Sequence, residues 1–205
     1  MTRIKVCGLK RHEDIAYVNE ALPDYCGFII EFSKSSRCVD RNRVRELVSQ
    51  LDDRVIPVGV FVNAPVELPA ELLNDGIIKL AQLHGGEDEQ YIKRLRKLTD
   101  GSIMKAFSVR SRQDVEKACA SSADHILLDQ GSGGTGKSFD WSLAENIERP
   151  FFLAGGLGLE NLEDAITRLK PWAVDLSSSL ETDGVKDRSK IIEAVKTVRY
   201  HDRRK

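Results

Sequence analysis

Two reactive side chains close short apolar runs that lie more than a hundred residues apart: Cys7 ends IKVC, and Asp129 ends HILLD. Gly8 follows the first, and the glycine-rich stretch GSGGTGKSFDW follows the second almost at once. A carboxylate at the end of a buried run is costly to desolvate unless it is paired, hydrogen-bonded or used. Burial raises a carboxyl pKa and can keep a proton available near neutrality, which suits Asp129 to general acid catalysis; the other reading is a carboxylate that ties down the following loop. A lone thiol is often packed and inert. Beside positive charge or backbone N–H groups, however, it ionises and can act as base or nucleophile. Lys5 lies two residues before Cys7, so in a strand the two share a face. It can support the site electrostatically or fill the interior with its alkyl stem.

Further polar candidates end other apolar runs. Arg37, in SKSSRCV, offers the planar fork that matches a carboxylate with two parallel hydrogen bonds, or is a surface arginine. His84, in QLHGG, can orient a ligand, cap the next helix or support another site residue. Asp175 lies inside AVDLS, where an interior structural partner is the favoured reading. Two segments can turn backbone N–H groups towards a phosphate: AGGL, with Gly155 and Gly156, and SSSLETDGVKD, with Ser178 and Ser179. GSGGTGKS carries the GxxxxGK[ST] spacing of a nucleotide loop, with glycine at 131 and 136, but residues 140–146 leave room for only a short helix behind it, not the long helix such a loop opens. A mobile lid or a close approach to substrate is the better account.

Those positions must be gathered by the elements between them. Eight short apolar strands are expected at residues 3–7, 26–30, 55–62, 79–82, 104–107, 125–128, 151–154 and 173–176. Their nearly continuous hydrophobicity fits strands buried on both faces. Spacings of three and four mark helices between them: Ile15, Val18 and Leu22; Val44, Leu47, Val48 and Leu51; Tyr91, Leu95 and Leu98; Leu162, Ile166 and Leu169; Ile191, Ala194, Val195 and Val198. The third helix is ambiguous, because Pro69 would sit inside a segment opened by Pro65. Residues 140–146 leave room for only a short sixth helix. Eight strand–helix units in 205 residues point to one compact (β/α)8 (TIM) barrel domain over residues 1–205. A doubly wound sheet is the competitor, but it would gather its site around one switch point, whereas here the candidates end many strands.

Bulk properties narrow the partners. With 31 basic and 32 acidic residues the net charge is −1, which argues against a nucleic-acid surface. The basic tail HDRRK reads as a solvated terminus. No apolar run approaches the roughly twenty residues of a membrane span, and no cleavable signal pattern is visible. Cys7, Cys26, Cys38 and Cys119 lack metal-ligand spacing and are expected to be free thiols, so a cytoplasmic protein is expected. Exposed apolar helix positions leave monomer and homodimer both open.

At these residues the chain resembles the phosphoribosylanthranilate isomerases of tryptophan biosynthesis. The resemblance runs through IKVCGLKR, GFIIEFSKSSRCV, VGVFVN, AQLHGGE, LLDQGSGGTGKSFDW, LAGGLGLENLEDAI and VDLSSSLETDGVKD, in order and over nearly the whole chain. It implies a cofactor-free and metal-free enzyme acting on a small phosphorylated substrate. Cys7 would be the general base and Asp129 the general acid of an Amadori rearrangement, and Arg37 would hold the anthranilate carboxylate. Backbone groups around Gly155, Gly156, Ser178 and Ser179 would bind the ribose phosphate, and Lys5 and His84 complete the candidate binding set. The chain departs from the family's usual pattern at Ser36, where proline is common, at Cys38, where an aromatic is common, and at Ser179, where glycine is common. Other readings are another phosphosugar enzyme, including a Schiff-base aldolase using Lys5, Lys79 or Lys105, and a non-catalytic phospholigand-binding barrel.

Overall fold

In the computed structural model, which describes residues 1–130 and 140–203, a parallel sheet closes on itself. Its strands are β1 (Arg3–Cys7), β2 (Tyr25–Ile30), β3 (Ile56–Phe61), β4 (Leu80–Leu83), β5 (Ser102–Ser108), β6 (His125–Asp129), β7 (Phe151–Leu153) and β8 (Ala173–Leu176). Each pairs in parallel with the next, and β1 pairs with both β2 (Cys7 with Gly27) and β8 (Lys5 with Asp175). That double pairing closes the barrel and rules out the open doubly wound sheet.

The helices are α1 (His12–Ala21), α2 (Arg41–Val48), α3 (Glu67–Asn74), α4 (Glu89–Leu95), α5 (Arg112–Ala120), α6 (Leu162–Leu169) and α7 (Arg188–Arg203). Among the described residues between β6 and β7, a 3₁₀ turn, Trp141–Ala144, takes the sixth place, in line with the short helix expected at 140–146. Pro69 does not break α3, contrary to the expected conflict. It falls in the first turn, where an N–H has no partner four residues back to lose. No described helix is long and apolar enough to cross a membrane.

Strand alternation sorts side chains into two cores. Ile4, Val6, Cys26, Phe28, Ile126 and Leu128 face outward and pack beneath the helices. Tyr25, Val58, Leu80, Met104, Leu127, Phe152 and Ala173 fill the barrel interior, where the Tyr25 ring meets Phe152 edge-on at 5.3 Å. The interior is therefore plugged by packed side chains at its centre. Polar interior residues sit around that plug and at the carboxyl ends of the strands.

Candidate active site

Because all eight strands run parallel, Cys7 at the end of β1 and Asp129 at the end of β6 open onto the same mouth of the barrel. Beneath Cys7, Lys5 points into the interior and is fully buried, with Nζ 2.8 Å from Asp175 Oδ2 on the neighbouring strand. Burial alone would strip the proton from such an ammonium, but Asp175 and Cys7 outweigh it and hold Lys5 well above the ordinary lysine range. Asp175 thus has the interior structural role its place in AVDLS suggests, with Lys5 as its partner. Burial pushes the Cys7 thiol up. Lys5 pulls it back, Asp175 adds to the rise and Lys186 opposes it, leaving the thiol above its ordinary value in the unliganded barrel.

Asp129 is part-buried and meets His84, whose Nε2 lies 3.2 Å from Oδ2. Gln82, on β4 and fully buried, places its amide nitrogen 3.0 Å from His84 Nδ1. With that amide donating, the ring proton sits on Nε2 and is directed at Asp129. Across from His84, Gly155 presses against the same carboxylate. A Cβ there would stand 2.5 Å from Asp129 Oδ1 and 2.7 Å from the Gln130 nitrogen, and φ at Gly155 is +83°. Gly156 follows at φ +66°, and the Gly156 carbonyl accepts from Asn161 at the start of α6. The AGGL loop therefore packs on the candidate acid as well as lying beside the last strand's loop.

Arg37 is carried in by the chain after β2, which folds back so that Cys38–Val39 adds a short parallel strand beside Ile29 and Ile30. Cys38 accepts a hydrogen bond from the Phe32 nitrogen at 3.1 Å. The arginine lies over Gly8, whose φ is +86° and whose missing Cβ would sit 2.5 Å from Arg37 Cδ. Only glycine permits both that turn and that approach. Its guanidinium is bound to Glu181, Nε to Oε1 at 2.6 Å and Nη2 to Oε2 at 2.7 Å.

Glu181 and Lys186 were not among the residues singled out from the sequence, yet they organise the mouth. They face each other in a two-stranded ribbon, Glu181–Thr182 with Val185–Lys186. Its turn residues, Asp183 and Gly184, have φ of +52° and +76°. An Asp-Gly pair is the signature of such a tight hairpin and would have placed these two opposite each other. Lys186 Nζ lies 2.7 Å from Glu181 Oε1 and donates to the Ser177 carbonyl at 2.9 Å. Ser177 Oγ in turn donates to the Cys7 carbonyl at 3.1 Å, fastening the last loop to the end of β1. Ser178 and Ser179 form the 3₁₀ turn Ser178–Leu180 in that loop, and the Ser179 hydroxyl is buried with no hydrogen-bond partner.

Of the lysines of the aldolase reading, Lys5 enters the barrel interior, whereas Lys79 and Lys105 lie apart from it. Lys79 is exposed just before β4. Lys105 is buried and donates to the carbonyls of Leu83 and Gly85, with Glu87 at 3.6 Å. All four cysteines are free thiols. The lid reading of GSGGTGK lies outside the described residues.

Comparison with known proteins agrees with the geometry. The model of the N-(5'-phosphoribosyl)anthranilate (PRA) isomerase family matches residues 4–197. An N-(5'-phosphoribosyl)anthranilate isomerase of Endomicrobium trichonymphae is 47% identical over 97% of this chain and 99% of its own length. The one from Clostridium acetobutylicum is 42% identical over 97% and 98%. Among solved structures, the Thermotoga maritima phosphoribosyl anthranilate isomerase superposes with a TM-score of 0.88 at 33% identity, covering 98% of this chain and all of that one. A phosphoribosyl anthranilate isomerase in complex with reduced 1-(o-carboxyphenylamino)-1-deoxyribulose 5-phosphate gives 0.85 at 31% identity, covering 98% and 100%. The chain belongs to the phosphoribosylanthranilate isomerase family.

Proposed function

We propose that this chain isomerises N-(5'-phosphoribosyl)anthranilate to 1-(2-carboxyphenylamino)-1-deoxyribulose 5-phosphate, a step of tryptophan biosynthesis, with Asp129 as general acid and Cys7 as general base. The observation that carries this reading is the meeting of a thiol, a carboxyl group and an arginine fork at one barrel mouth. Asp129 donates a proton to the furanose ring oxygen, and the C1–O bond breaks as the anilino nitrogen's lone pair forms an iminium. Cys7 then removes the C2 proton, and the electron pair of that C–H bond forms the C1–C2 double bond while the iminium nitrogen recovers its lone pair. The resulting enolamine tautomerises to the ketone. One group must start protonated and the other ionised; burial raises the Cys7 thiol, so its service as base draws on the opposing pull of Lys5.

Recognition divides between the two halves of the substrate. Arg37 would hold the anthranilate carboxylate through the part of its fork that Glu181 leaves free. Backbone around Gly155, Gly156, Ser178 and Ser179, in neighbouring loops after β7 and β8, would take the phosphate, as the last two loops of this fold often do. His84 would contact both Asp129 and the ligand, and Lys5 would act from below. The test is a fluorescence assay following the loss of freshly generated phosphoribosylanthranilate. Wild-type protein should consume it, Asp129→Asn and Cys7→Ser should bind it with turnover reduced by roughly a hundredfold or more, and wild-type turnover in Asp129→Asn would end the acid assignment.

A further inference from the structure

We propose that Lys5, fixed by Asp175 and given room by Gly27, is the counter-cation of the Cys7 thiolate and so sets how much base is available to the reaction. This rests on the proposed role of Cys7 and adds a positioning residue beneath it.

Three strands build the arrangement. Lys5 and Cys7 are two residues apart on β1, so both enter the interior, and Gly27 on β2 is the register partner of Cys7. A Cβ on Gly27 would stand 2.8 Å from Cys7 Sγ and 3.1 Å from Lys5 Nζ. Sulfur and ammonium therefore converge on the space that this glycine leaves empty, and a side chain there would push one or both aside. From β8, Asp175 supplies the 2.8 Å contact that keeps Lys5 charged although it is wholly shielded from water. A bare buried ammonium would otherwise shed its proton.

Other charged and titratable groups face Cys7, but they are committed elsewhere. Arg37, above Gly8, is held by Glu181, and Lys186 is held by Glu181 and the Ser177 carbonyl. Cys26 on β2 is a buried thiol whose proton affinity burial raises strongly. Asp129 and His84 act on Asp175. Among these groups Lys5 exerts the strongest downward pull on the thiol, and it outweighs the opposing effect of Asp175. Removing both charges should therefore leave the thiol harder to ionise, although the Asp175 repulsion goes with them.

The test is a pH titration of thiolate ultraviolet absorbance, taken as the difference between each protein and its Cys7→Ser counterpart. It needs no substrate, so it stands whether or not the isomerase reading survives. Replacing only Lys5 would strand a buried carboxylate, so the variant is Lys5→Met/Asp175→Asn. Its Cys7 midpoint should move up by about one pH unit or more, which corresponds to about tenfold less thiolate at a fixed pH below both midpoints. In the isomerase assay kcat should fall with KM nearly unchanged. A folded double variant whose Cys7 midpoint stays at the wild-type value would overturn the proposal. A second measurement avoids destabilising substitutions: in lysine-labelled protein the Lys5 Cε resonance should inflect at the Cys7 midpoint and lose that inflection in Cys7→Ser. A Lys5 resonance indifferent to the thiol would overturn it equally.

Discussion

Arg37 and Glu181 are joined by two parallel hydrogen bonds although 144 residues separate them in the chain. The contact uses Nε and one Nη2 hydrogen, so Nη1 and the outer edge of the fork remain for a second carboxylate. Glu181 therefore aims the arginine as well as neutralising part of its charge. Charge-assisted hydrogen bonds are worth about 1.5–3 kcal/mol each. Arg37→Ala should accordingly raise KM for the carboxylated substrate by roughly ten- to a hundredfold, with the smaller change in kcat. Glu181→Gln should raise KM only several-fold, because the fork survives and only its aim is loosened. Steady-state kinetics on both variants decides this, and an unchanged KM in Arg37→Ala would remove the clamp.

The same carboxylate predicts how stability depends on pH. Burial alone would raise the Glu181 pKa, but hydrogen bonds from Arg37 and Lys186 hold it down from 4.5 to about 2. A group whose pKa is depressed in the folded state stabilises that state fully above its unfolded value and loses the contribution as pH falls towards the folded one. The window is therefore from pH 4.5 down to about 2. The shift corresponds to about 3 kcal/mol as an order of magnitude. Urea unfolding of the wild type should show a steeper loss of stability through this window than Glu181→Gln. Parallel curves for the two proteins would show that the contact contributes nothing on folding.

Gly155 offers a sharper test of how the acid is held. Alanine there would meet both an unfavourable positive φ and the Asp129 carboxylate at 2.5 Å. Gly184 is the control, since its φ is +76° but nothing lies within 4 Å of a Cβ built on it. Both alanine variants should lose roughly 1–2 kcal/mol of stability from backbone strain. Only Gly155→Ala should also lose turnover, by about tenfold or more, because displacing a catalytic group by about 1 Å can cost ~10²-fold. Equal activity in the two variants would mean that the AGGL loop does not position Asp129.

The sequence made some of this plain and concealed the rest for physical reasons. Strands buried on both faces leave continuous apolar runs, so all eight appeared within a residue or two of their observed bounds. Closure was read only indirectly, from candidate residues that end many strands, because the pairing of β1 with β8 is a relation between residues such as Lys5 and Asp175 that local periodicity does not encode. Cys7 and Asp129 were legible because reactive types stood where apolar runs stop. Glu181 was overlooked because the arginine it aims lies 144 residues away in the chain. Gln82 was overlooked because its amide lies inside an apolar strand and matters only through His84.

That last chain gives the final test. With the Gln82 amide donating to Nδ1, His84 carries its proton on Nε2 and directs it at Asp129 Oδ2, 3.2 Å away. The donor has two opposed effects. It favours the ionised carboxylate, so losing it would ease protonation of Asp129, an effect of about 1 kcal/mol or roughly fivefold for one hydrogen bond. It also orients the carboxyl group, and a misplaced catalytic group can cost ~10²-fold. Orientation is the larger effect, so His84→Ala should lower kcat by about tenfold at neutral pH, and Gln82→Leu should lower it less because the imidazole remains. KM should change by no more than about threefold if His84 acts mainly through Asp129. A large rise in KM with kcat intact would instead make the contact with the ligand, not the one with Asp129, the main role of the imidazole.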